Sequence, residues 1–89
     1  MRESRIESHL VKRVRALGGW CVKVQWIGRR GAPDRIVLIP GREHFWVELK
    51  APGLAPEPHQ AREHARMRSC GCRIEIIDSL ERCDEVLDA

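Results

Sequence analysis

The glycines and prolines constrain this chain most. Breaks at Gly18-Gly19, Gly28 to Pro33, Pro40-Gly41, Ala51 to Pro58 and Gly71 cut the 89 residues into short pieces. The periodicity of each piece then decides what it becomes. In residues 3–17, Ile6, Leu10, Val11, Val14 and Leu17 share one arc of a helical wheel, and Arg5, Ser8, His9, Lys12 and Arg15 lie opposite. Residues 20–27 alternate as a strand, with Cys21 and Lys23 on one face and Trp20, Val22, Val24 and Trp26 on the other. Arg35 to Ile39 is nearly all apolar, as expected of a central strand covered on both faces.

Phe45 to Lys50 reads as the next strand, followed by a helix from about His59 to Ser69 and a final strand from Cys72 to Ile77. Asp78-Ser79 can cap a last helix through about Leu87, with Leu80, Cys83 and Leu87 on one face. The order αβββαβα predicts an α/β layer fold: a central mixed β-sheet flanked by helices, in a single small domain spanning 1–89. Trp20, Trp26 and Trp46 are expected to pack mainly in the core.

No apolar run reaches the roughly 20 residues needed to cross a bilayer. Met1 to Glu7 contains no apolar signal region, so a cytoplasmic protein is expected. Residues 1–73 carry 15 basic and 7 acidic side chains, whereas 74–89 carry 1 and 6. Of the 16 basic residues 13 are Arg, the better fork for phosphate oxygens. A basic body of this kind implies a polyanionic partner, nucleic acid above all. Cys21, Cys70, Cys72 and Cys83 lack the paired Cys-x-x-Cys spacing of structural zinc sites and read as reduced thiols.

Four features carry chemistry. Glu7 falls inside the apolar arc of the first helix, where a carboxylate is costly unless paired or bound to a cation. Asp34 follows Gly31-Ala32-Pro33 and precedes the central strand. Glu48-Leu49-Lys50 ends the next strand, and alternation puts Glu48 and Lys50 on one face. A hairpin turning near Arg42 brings Asp34 opposite Lys50, with Glu48 as its diagonal neighbour at roughly 7 Å. Gln60 opens the following helix, sharing a stripe with His64 and Met67. His59 and His64 flank Gln60, within reach of the site, but read mainly as surface residues, and Pro56 and Pro58 are expected to delay the helix start.

Two carboxylates and an ammonium beside an apolar hairpin suit metal-assisted phosphodiester hydrolysis. Asp34, Glu48 and the backbone carbonyl of Leu49 offer oxygen ligands to Mg²⁺, and Glu7 offers another directly or through water. Lys50 can orient the attacking water or offset developing charge. Arg29, Arg30, Arg35, Arg62 and Arg66 can hold a sugar-phosphate backbone.

The ordered set Glu7, Gly31-Ala32-Pro33-Asp34, Glu48-Leu49-Lys50 and Gln60 resembles the PD-(D/E)XK nuclease superfamily, which has a restriction-endonuclease-like fold. Within it, Gly28 to Arg35 and Val47 to Gly53 are similar to a stand-alone VRR-NUC domain of bacterial or phage type. The resemblance implies an endodeoxyribonuclease using Mg²⁺, with Mn²⁺ able to substitute. Asp34 and Glu48 are then metal ligands, Lys50 the catalytic lysine, Glu7 the helical acid and Gln60 an accessory residue. It also implies a homodimer that resolves four-way (Holliday) junctions, with the Trp20/Trp26 face or the Trp46 region as a candidate dimer surface. The competing readings are a nuclease or nickase without junction specificity, a DNA-binding protein that keeps the fold without cutting, and a small zinc module using the cysteines with His9, His44, His59 or His64.

Overall fold

A computed structural model describes residues 1–89. Helix α1 (Glu3–Ala16) leads into strands β1 (Trp20–Lys23), β2 (Arg35–Leu38) and β3 (Phe45–Leu49), then helix α2 (Pro58–Ser69), strand β4 (Ile74–Ile77) and helix α3 (Leu80–Asp88). The expected αβββαβα order holds. The four strands form one mixed sheet in the order β1-β2-β3-β4, antiparallel except for the parallel β3/β4 pair.

Helices α1 and α3 cover one face of this sheet. Ile6, Leu10 and Val14 of α1 meet Val37, Val47, Leu49 and Ile77 of the strands and Cys83, Val86 and Leu87 of α3. Each fully buried aliphatic side chain here stabilises the fold by about 2 kcal/mol. Ser79 caps α3 by accepting the Arg82 N–H at 2.9 Å, as expected for the Asp78-Ser79 pair. His9 of α1 bonds Asp84 of α3 at 2.8 Å, and Arg13 reaches both Asp84 and Asp88, clamping the two helices.

Several expectations differ from the structure. β1 stops at Lys23: the Val24 N–H still bonds the Asp34 carbonyl at 2.9 Å, but the chain then swings out and Trp26 packs its ring on Trp46 at 5.3 Å. β2 is central in strand order but fully buried on one face only: Val37 is buried, and Ile36 and Leu38 on the other face are half-buried. Tryptophan does not build the core either: Trp20 is 73% exposed and Trp26 38%. Trp20 shares its face with Val22, the opposite side from α1.

The β2/β3 hairpin is tighter than expected. The Arg42 N–H bonds the Ile39 carbonyl at 3.1 Å across Pro40-Gly41, and Gly41 takes a φ of +77°. That turn centres the hairpin nearer Gly41 than Arg42 and pairs Arg35 with Val47 and Ile36 with Trp46. Continued by one step, it sets Asp34 opposite Glu48 rather than Lys50. The shift is an even number of residues, so the shared face survives. The prolines before Gln60 do not delay α2. Pro58 takes the first helical position, where a missing N–H costs nothing. No helix is long and apolar enough to cross a membrane.

Candidate active site

The open end of the β2/β3 hairpin brings the two predicted carboxylates together. Asp34 is half-buried, and its Oδ2 accepts the Leu49 N–H at 3.0 Å. That bond fixes the carboxylate against the end of β3. Glu48 points to the same face and is only 2% exposed. Its carboxyl is pushed up to about 8, first by burial, then by the charge of Asp34 and a hydrogen bond with it; Lys50 pulls the other way. Two acids this close, one of them buried, could hold a hard cation in place of the proton. Leu49 sits between Glu48 and Lys50 and is itself buried.

Lys50 closes the strand end, its N–H bonding the Ile77 carbonyl at 3.0 Å. Its Nζ donates to Gln60 Oε1 at 2.7 Å. Gln60 is held in turn by a capping box: the Glu57 side chain accepts the Gln60 N–H, and Gln60 Oε1 accepts the Glu57 N–H at 2.8 Å. The Gln60 amide nitrogen then lies 3.4 Å from Glu48 Oε2. Asp34, Glu48, Lys50 and Gln60 are therefore one connected group.

The loop before Asp34 is fitted to the start of α2. Gly31 has a φ of +84°, and a Cβ there would sit 2.7 Å from the His59 carbonyl and 2.9 Å from the Gln60 Cα. Only glycine allows this approach. Arg29 Nε bonds Glu63 Oε2 at 2.8 Å, fastening the same loop further along α2. Glu63 is held below the usual carboxylate range mainly by that hydrogen bond.

One residue read mainly as a surface group also stands here. His64 is 1% exposed, not a surface histidine, and its Nε2 lies 3.4 Å from Glu48 Oε1. Burial, then the charge of Arg68, holds its pKa below the ordinary value. Its spacing of four from Gln60 was the available signal. Glu7 faces inward as its wheel position predicts, but its Oε2 accepts from Arg35 Nε at 3.0 Å. Arg35 also donates to the Cys21 carbonyl at 2.7 Å, so its guanidinium is directed into the fold. Arg30, Arg62 and Arg66 are exposed and bond no protein acceptor.

Elsewhere, His9, Cys83 and Asp84 place potential ligand atoms within 4.8 Å of one another. Arg13 already serves the Asp84 carboxylate, and burial pushes the Cys83 thiol up to about 11, a poor start for a metal site. All four cysteines are free thiols, and Cys70 and Cys72 join no ligand cluster.

No family model matches the chain. It is 48% identical over 79 residues to "Putative nuclease p44" of Acyrthosiphon pisum secondary endosymbiont phage 1, covering 89% of this chain and 85% of that protein. A solved structure described as a VRR_NUC domain superposes with a TM-score of 0.88 at 36% identity, over 97% of this chain and 94% of the other. That structure matches the same compact arrangement of helices on a mixed sheet. On fold, sequence and the clustered acids together, the chain belongs to the VRR-NUC family of nucleases.

Proposed function

We propose that this protein is a divalent-metal-dependent DNA endonuclease, cutting branched DNA as a homodimer. The observation that carries the reading is the connected group Asp34, Glu48, Lys50 and Gln60 at one strand end. A protein that only bound DNA would gain nothing from buried acids, which repel phosphate unless a cation lies between. Asp34, Glu48 and the Leu49 carbonyl are the ligands assigned to Mg²⁺, with Mn²⁺ able to substitute. Such a cation polarises the scissile phosphate and lowers the pKa of water bound to it.

The chain's own side chains do the rest. Gln60 Oε1 holds the Lys50 ammonium beside the carboxylates, where it offsets charge developing on the phosphate. Glu7 is the α1 acid of this reading; Arg35 holds its carboxylate, and it would serve the metal through water. Arg30, Arg62 and Arg66 are free to take the sugar-phosphate backbone. Arg29 and Arg35 shape the site by holding Glu63 and Glu7.

The exposed Trp20, Val22 and Trp26 support dimerisation, since they leave apolar surface beside the edge strand β1. A two-fold dimer carries two such sites, as paired cuts across a junction require. The setting consistent with the phage relative is the cytoplasm of a bacterial host.

The test is a cleavage assay at fixed low salt. It presents four-way junction, flap, single-stranded and linear duplex DNA with Mg²⁺, Mn²⁺ or EDTA, alongside Lys50→Ala and Asp34→Ala. Symmetric metal-dependent cuts on the junction, absent in both variants, are expected. Cutting by either variant at the wild-type rate refutes the site. Cutting without preference among the substrates removes the junction-resolving role.

A further inference from the structure

We infer that His64 is a positioning residue for Glu48, and that helix α2 is the brace that aims this carboxylate. The inference rests on the metal-dependent reading above and extends it beyond the residues that touch the reacting atoms.

Glu48 Oε1 and His64 Nε2 are both fully buried, and neither has a hydrogen-bond partner elsewhere. They face each other at 3.4 Å. A buried polar atom left unpaired costs about 1–3 kcal/mol, so two of them side by side need a reason beyond filling space. An aliphatic side chain would fill the same volume without that cost. A proton between the two atoms turns both into one hydrogen bond.

The consequence is geometric. The terminal torsion of a glutamate is broad, so an unrestrained carboxylate does not present one oxygen in a fixed direction. Here each oxygen has its own neighbour on α2: His64 Nε2 faces Oε1, and Gln60 Nε2 faces Oε2. The two residues are four apart and lie on one face of the helix. The loop that carries Asp34 is seated on the same helix, where a Cβ on Gly31 would come within 2.9 Å of the Gln60 Cα. Residues that orient a ligating carboxylate are worth about 10–100-fold in metal affinity.

The experiment measures Mn²⁺ binding without DNA, by the loss of the free-ion electron paramagnetic signal. It uses the wild type, His64→Leu, His64→Gln and Glu48→Gln, with urea midpoints recorded for all four. His64→Leu keeps the packing and loses the polar contact. Its expected Mn²⁺ affinity is at least about tenfold weaker than wild type. His64→Gln returns a nitrogen near the Nε2 position and is expected to recover most of that loss. Wild-type affinity in a folded His64→Leu protein overturns the inference alone. Equal losses in the Leu and Gln variants overturn it too, because packing would then be the whole effect. If the wild type binds no Mn²⁺, or Glu48→Gln binds it equally well, the nuclease reading and this inference fall together. Nitrogen NMR of the His64 ring covers the case of a variant that does not fold. In metal-free protein the Nε2 signal is expected to move on Glu48→Gln, and an unmoved signal overturns the contact.

Discussion

Removing divalent metal should make this protein less stable as pH rises through neutrality, against the usual trend for a protein rich in paired carboxylates. The cause is Glu48. Its ordinary value is 4.5, and in the folded state it is raised to about 8. Between those values the folded protein holds a proton that the unfolded chain has released. Stability therefore falls with increasing pH across that window and levels off above it. His64 works in the opposite sense. Its value is lowered, so it opposes folding only where the unfolded chain carries the charge, below about 6.5. The stretch from pH 6.5 to 8 thus isolates Glu48. It spans about 1.5 units, so the expected loss is about 2 kcal/mol. The assay is urea unfolding in EDTA at several pH values, followed by far-UV circular dichroism. Glu48→Gln should flatten the profile in that interval and exceed the wild type in stability at pH 9. A flat wild-type profile, or the same slope in the variant, refutes the account of a desolvated carboxylate pressed against Asp34.

Gly31→Ala is expected to lose at least about 2 kcal/mol of stability, since it adds a left-handed backbone penalty to the 2.7 Å approach to the His59 carbonyl; its cleavage rate should fall further than stability explains, as comparison at a temperature where the variant is fully folded will show. Asp84 is held below its ordinary value first by His9 and then by Arg13, so it favours folding above about pH 4 and loses that effect as the pH drops through its folded value. Asp84→Asn should accordingly lose less stability than wild type between pH 5 and 3 in acid titrations. Arg30→Ala and Arg62→Ala should each reduce the slope of log K against log salt for DNA binding by about 1, while Arg35→Ala should leave the slope unchanged and lower the urea midpoint.

The element order could be read because glycine, proline and periodicity mark it locally. The Asp34–Glu48–Lys50 face could be read because strand alternation is strict, and a register error of two residues leaves parity intact. Trp26 could not: its alternation with Val24 fits a strand, but tilted packing against Trp46 decides its place. His64 shares a stripe with Gln60 on any wheel. Whether that stripe faces solvent or a strand depends on how α2 docks, and docking depends on the missing Cβ of Gly31, 33 positions away. The wheel likewise turns Glu7 inward, but its partner Arg35 stands 28 positions away.

Arg35 carries more information in its position than in its charge. Charge alone assigns it to phosphate. Parity does not: Arg35 alternates with Val37, so it shares the face that packs on α1, while Asp34 and Ile36 share the other. An arginine on a core face needs a buried acceptor, and the inward Glu7 needs a buried cation. Each residue was conspicuous for the same reason, and each answers the other. The same test applies to Glu48 and His64. A buried charge or an unpaired polar atom, placed by periodicity on an inward face, predicts a partner on whatever element covers that face. In this fold the unpaired groups on the α1 side close the Glu7–Arg35 ion pair. Those on the α2 side gather where the acids meet Lys50 and Gln60, and so mark the chemistry.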